Sequence, residues 1–512
     1  MGRSAEGVTN FKSPNSTNYQ RFKLRKFMET HLKGFGVENF RVFKDYTWFD
    51  FAPITILTGP NSSGKSSLNK ALKLISDPTK INDSDLQLGG LERITNPHSQ
   101  KELPKFIASL AYKLKNYPTK GENTEISIKV DTSFGKEDTI IKSDNHRHIC
   151  YDLIWNNKLL IHDFAYGVEF YFDFTTFYEN LKPLSKDDYD SMIVHSINKP
   201  VEDIIDLYSK NIDLTNGESM QSYDDNSFVD LNSILESYGL TNFQCKYIKE
   251  QIIGDYYLFT KDTLDSIFYL PFMSNSERNY SLNNKSIWAD FIRMSQTQIF
   301  NTEEPIEKIK KQFSELKDID ASAAISFYGP RLFVDKWIKI FNFRNELTTI
   351  IDTKFGFQSL EVNERPLVEQ GTGVSQIIYI LLNIVLNPEK GKVFLIEEPE
   401  ANLHPKFQSL LADMFIDAAK TFNIQFIIET HSEYFIRKMQ YLTAKKEVSP
   451  TDTNIYYFHD PENIPAGEPQ VKKIEILEDG SLSSDFGPGF FDEAANWELE
   501  LLRLKNNKNR QN

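Results

Sequence analysis

Four short stretches carry residue types that can do phosphate chemistry. Gly59-Pro60-Asn61-Ser62-Ser63-Gly64-Lys65-Ser66 has the spacing G-x-x-x-x-G-K-S. An apolar run, Ile54–Leu57, precedes it, and Ser67–Ile75 follows with helical spacing, the strand–loop–helix context that a phosphate-binding loop requires. Backbone N–H groups between Gly59 and Ser67, all but that of Pro60, which has none, would line a concavity. The dipole of the following helix adds about half a positive charge there. Lys65 would reach the β- and γ-phosphates of ATP, and the Ser66 hydroxyl would ligate Mg²⁺. In Lys392–Glu398, four apolar residues end in two carboxylates. A buried parallel strand delivers such residues to the ligand crevice of an α/β sheet. One carboxylate there, of Glu397 and Glu398, can hold Mg²⁺ through water, and the other can orient and deprotonate the attacking water. Asn423–Glu429 is a further apolar run, and Thr430-His431-Ser432 follows it. A histidine just past a strand end can reach a γ-phosphate. Lastly, Glu369–Gln376 places Gly371, Gly373 and Ser375 before the apolar helix 377–386. This is a second anion site at a helix N-terminus. One chain already carries its own phosphate loop, so this second site most simply serves the nucleotide of another copy.

These stretches need a sheet to hold them. The chain has 512 residues, which implies several domains or one domain with large insertions. Hydrophobic residues make up 40% and charged residues 25%, as in a globular protein. The net charge of -14 disfavours broad adhesion to nucleic acid, although a local basic patch leaves room for a DNA contact. Two cysteines make neither a zinc site nor a disulfide framework. No signal peptide or run of 18 apolar residues is seen, so a cytoplasmic protein without membrane contact is expected.

Residues 1–32 read as a flexible tail and 33–104 as the N-terminal part of an ATPase head. Strands are expected at Val37–Phe43 and Thr47–Phe51. An antiparallel β-rich part follows over 105–180, with strands at Thr124–Val130, Thr139–Lys142, His148–Trp155, Leu159–Phe164 and Val168–Phe174. Residues 181–345 read as a mainly helical insertion, 346–460 as the C-terminal part of the head, and 461–512 as an extension. The fold class expected is α/β.

Taken together, these residues resemble the ABC-type ATPase heads of the structural-maintenance, RecF and overcoming-lysogenisation-defect group. There too a large insertion separates the phosphate loop from the acidic pair. Gly371-Thr372-Gly373-Val374-Ser375-Gln376 is similar to the group's degenerate signature, and Glu397–Pro405 to its Walker B and D-loop run. Thr430-His431-Ser432 is similar to its switch histidine. The resemblance implies catalysis by Glu398 with His431 sensing the γ-phosphate, metal support by Ser66 and Glu397, and Ser375 capping ATP in the partner head. It implies a homodimer or higher oligomer through the heads. Either Gln87 or Gln100 would be the glutamine-loop residue. Nuclease members of the group carry a Toprim domain after the histidine, and no compact acidic triad is legible there. Bacterial members of this shape resemble the ATPase subunits of anti-phage systems: the Septu ATPase, sometimes retron-associated, which works with an HNH nuclease, and the PARIS ATPase, which works with a Toprim effector. A separate effector, a nuclease, is therefore the expected partner. The alternatives are a DNA-repair or chromosome-maintenance ATPase, and a scaffold that binds ATP with negligible hydrolysis.

Overall fold

The computed structural model describes residues 28–76, 86, 88–89, 91–101, 104–111, 126–134, 147–155, 158–164, 170–172, 263–271, 333–334, 336–343, 347–352, 357–362, 365–366, 371–386, 393–487 and 491–511. Three sheets run through them. Residues 1–27 of the expected tail, the strand at Thr139–Lys142, Gln87 and most of the helical insertion expected over 181–345 lie outside the described residues. The end of the expected tail is not a tail: Met28 packs into the core and the fully buried Leu32 opens the first strand.

The first sheet has six strands in the order β16-β15-β3-β14-β13-β9. These are β3 (Ile54–Thr58), β9 (Ile267–Leu270), β13 (Val393–Glu397), β14 (Gln425–Glu429), β15 (Thr453–Phe458) and β16 (Val471–Glu475). All neighbours are parallel except β16, which pairs antiparallel at one edge. Every residue of β3 and β14 is buried, the pattern of parallel strands covered on both faces. The longer helices among the described residues are, in chain order, α1 (Lys65–Ser76), α2 (Thr372–Leu386), α3 (Pro405–Phe422), α4 (Glu433–Ala444) and α5 (Glu493–Gln511). Ile377, Leu381 and Ile384 of α2, Leu411 and Phe415 of α3, and Phe435 of α4 share one core with Phe394, Phe426 and Ile428 of the sheet. Each such side chain contributes about 1.5–3 kcal/mol on burial. Asn423 closes α3 in the left-handed conformation, φ 57°. The chain therefore re-enters the sheet at Gln425, two residues later than the apolar run suggests.

Residues 267–270, expected inside a helical insertion, instead form the edge strand β9 beside β13. Its four residues are too few to show a period.

The second sheet has seven antiparallel strands in the order β2-β1-β4-β5-β6-β7-β8. They are β1 (Leu32–Glu38), β2 (Thr47–Asp50), β4 (Lys105–Ala111), β5 (Ile126–Phe134), β6 (Arg147–Trp155), β7 (Lys158–Phe164) and β8 (Phe170–Phe172). The strand expected at Val37–Phe43 ends at Glu38, because Asn39 and Arg41 both take φ of 51° and turn the chain. Aromatic rings join the sheets: Phe49 lies 5.1 Å from Tyr456 and 5.9 Å from Phe458. Gln425 pins the junction. Its Oε1 accepts from the N–H groups of His31 and Leu32, and its Nε2 donates to the carbonyls of Leu32 and Ala52. A third, three-stranded antiparallel sheet comprises β10 (Leu347–Asp352), β11 (Phe357–Val362) and β12 (Arg365–Pro366).

Candidate active site at the carboxyl edge of the parallel sheet

The sheet order decides which side chains meet. β14 lies between β3 and β13, so its last residue, Glu429, stands opposite Leu57 on one side and Glu397 on the other. The carboxyl ends of parallel strands form the ligand crevice of such sheets. Here that edge brings together the loop after β3, the acidic pair after β13 and the histidine after β14.

The loop leaves β3 at Gly59, whose φ is 137° and where a Cβ would lie 2.3 Å from the Phe458 carbonyl oxygen. Only glycine allows that approach. α1 then begins at Lys65. Lys65 is 3% exposed. Its Nζ donates to the carbonyls of Gly59 (3.1 Å) and Pro60 (2.8 Å) and lies 3.8 Å from Glu429 Oε1. Burial draws its pKa below the usual lysine value, against the pull of Glu429 and Glu398. Ser66 Oγ donates to Glu429, 2.8 Å from Oε2 and 3.1 Å from Oε1.

Glu398 turns sharply off β13 with φ 43°, a left-handed conformation that is uncommon outside glycine and costs about 1–3 kcal/mol. The Glu398 N–H donates to the Glu429 carbonyl at 2.8 Å. Ligating atoms of Glu398, Glu429 and His431 lie within 4.8 Å of one another. Burial pushes Glu429 up to about 7, and the neighbouring Glu397 adds to the rise. Burial, with help from the Lys65 charge, lowers His431 to about 4, so its ring is neutral near pH 7. The His431 N–H donates to Glu400 Oε1 at 2.7 Å. Glu400 is itself buried, which raises its pKa. Glu397 accepts a 2.7 Å hydrogen bond from the hydroxyl of Tyr269, at the end of β9.

Gly371, Gly373 and Ser375 lie at the start of α2, where the Val374 and Ser375 N–H groups bond to the Gly371 carbonyl. A Cβ on Gly373 would come within 2.8 Å of the Asn402 carbonyl oxygen. The signature turn is therefore packed against the turn that follows Glu398.

Do these residues fit a magnesium nucleotide? Ser63 Oγ, in the loop, is buried without a hydrogen-bond partner, as a donor meant for an anion would be. Ser66, Glu398 and Glu429 offer hard oxygen ligands of the kind Mg²⁺ takes. The fit holds.

Sequence reasoning missed Glu429, Glu400 and Tyr269. A signal for Glu429 was present. Gln425–Glu429 and Val393–Glu397 are the same word, apolar residues ending in glutamate.

A family model described as an AAA ATPase domain matches residues 31–436. A second, described as a protein of unknown function (DUF3696), matches residues 448–501. No curated protein matches the chain. Among solved structures it is similar to an SMC head bound to the C-winged helix domain of ScpA, at 11% identity and TM-score 0.42, covering 87% of this chain and 99% of that one. It is also similar to the SMC head domain from Thermotoga maritima, at 9% identity and TM-score 0.36, covering 88% and 100%. Among the described residues no helix is long and apolar enough to cross a membrane.

Proposed function

The chain belongs to the AAA ATPase domain family, and from that premise we propose that it is a Mg²⁺-dependent ATP-hydrolysing switch. In this reading its heads pair around nucleotide and control a separate effector, a nuclease, in anti-phage defence. The observation that carries the hydrolytic part is the meeting of Lys65, Ser66, Glu398, Glu429 and His431 at one sheet edge.

The loop amides from Gly59 to Ser67 bind the phosphates, and Lys65 leaves its loop carbonyls for the β- and γ-phosphate oxygens. Mg²⁺, when bound, offsets the phosphate charge and draws electron density from the γ-phosphorus. Glu398 takes a proton from the attacking water as the water oxygen bonds to the γ-phosphorus, and the β–γ bridging oxygen leaves with ADP. Neutral His431 donates a hydrogen bond to the γ-phosphate. Ser375 caps the nucleotide held by the partner head, which makes pairing depend on ATP. A two-fold symmetric pair satisfies both sites at once.

Glu398→Gln keeps the shape of the side chain and removes its basicity. Turnover should fall on the order of 10²-fold or more while ATP affinity stays near wild type. Steady-state hydrolysis with titration of a fluorescent nucleotide checks both, and wild-type turnover in the variant would reject the role.

A further inference from the structure

The acidic pair at Glu397-Glu398 invites the assumption that its first member supports the metal. The geometry points elsewhere. We propose that Glu429, not Glu397, is the carboxylate that positions the metal ligand Ser66 and stands in the outer shell of the bound Mg²⁺. The inference rests on the reading that this crevice takes Mg²⁺ with a nucleotide.

Three observations carry it. The sheet order puts β14, not β13, next to the phosphate-loop strand, so Glu429 is the strand-end carboxylate nearest the loop. Ser66 Oγ gives its proton to Glu429, with both carboxylate oxygens within 3.1 Å. A hydroxyl whose proton is fixed on one side presents its lone pairs on the other, as a metal ligand must. Glu397, by contrast, is one strand further away and is held by the Tyr269 hydroxyl at 2.7 Å. Glu429 also lies 3.8 Å from Lys65 Nζ, so one carboxylate orients both side chains that would face the phosphates and the metal. Glu397 instead ties β13 to β9, the edge strand that chain segment 263–271 contributes.

The test replaces Mg²⁺ with Mn²⁺ and follows bound Mn²⁺ by electron paramagnetic resonance in the presence of ADP. Nucleotide affinity in excess EDTA is measured alongside, and thermal unfolding of each variant establishes that it is folded. Glu429→Gln should weaken Mn²⁺ binding in the ternary complex by about 10–100-fold, the usual effect of losing a partner of a metal ligand. Its metal-free nucleotide affinity should remain within about twofold of wild type, since the loop amides bind the phosphates. Glu429→Asp, which keeps the charge, should recover part of the loss. Glu397→Gln should cost clearly less than Glu429→Gln. Wild-type Mn²⁺ affinity in Glu429→Gln, or a larger loss in Glu397→Gln, overturns the assignment and leaves the ATPase reading intact. Failure of the wild-type protein to bind nucleotide with Mn²⁺ overturns the ATPase reading itself.

Discussion

Glu398 is held in a left-handed turn that ordinary residues avoid, and the turn aims its carboxylate back at Glu429 and His431. Charge at this edge is arranged in opposition. Burial keeps His431 neutral, while burial and Glu397 favour the protonated form of Glu429. The two act oppositely on stability. An unfolded histidine takes a proton near 6.5, whereas His431 resists protonation down to about 4. Between those values the unfolded chain binds more protons, so this contribution is present above 6.5 and is lost as pH falls through about 4. Glu429, raised from 4.5 to about 7, contributes stability that is lost as pH rises through about 7. His431→Asn removes the first effect alone. Scanning calorimetry of nucleotide-free protein should therefore show a smaller drop in Tm between pH 7 and pH 5 for the variant than for wild type. Equal drops would show that His431 carries no such linkage. At this scale the sequence displayed every residue of the crevice but not which would touch. The spacing of Lys65 and Ser66 is local, and so it is readable. That Ser66 chooses Glu429 depends on strand order, which no local pattern encodes.

Elements built from strong local signals match the reading of the sequence. The loop between β3 and α1 is one, and the buried run of β13 is another. The exceptions have physical causes. β1 stops early because two residues turn with positive φ. β9 is too short to announce itself, and its place beside β13 comes from tertiary pairing. α2 bears on the pairing of heads proposed above. Gly373 seats its first turn against Asn402, and Ser375 lies in that same turn, half-buried. Ser375→Arg puts a bulky cation where the partner's nucleotide would rest. ATP affinity of the single head should stay within about twofold, because the phosphate loop is untouched. ATP-dependent pairing, followed by light scattering, and turnover should both be lost. Normal hydrolysis in this variant would rule out a site shared between heads.

The whole molecule joins an antiparallel sheet to a parallel one through Phe49, Tyr456, Phe458 and Gln425. The presence of both layers was legible from the alternation of short strands and from the buried runs; their junction was not, because a buried glutamine looks like any surface glutamine in a sequence. The proposed control of an effector belongs to this scale. ATP can bias it only if the effector binds the nucleotide states unequally, and a tenfold preference corresponds to about 1.4 kcal/mol. The chain purified free of other proteins, and incubated with plasmid, linear DNA and RNA in Mg²⁺ or Mn²⁺, should leave each intact. Cleavage that survives stringent purification and is abolished by a point mutation in this chain would refute a separate effector. The position of β3 has a temporal meaning as well. β3 is flanked by β14 and β15, and the Thr58 hydroxyl donates to the Thr430 carbonyl 372 positions later. At ribosomal speeds of about 5–20 residues per second, roughly 20–75 s separate synthesis of the phosphate loop from synthesis of the strands that support it. During that interval the growing chain carries the loop sequence without a crevice to hold nucleotide, so the ATP site arises late in translation and nearly all at once.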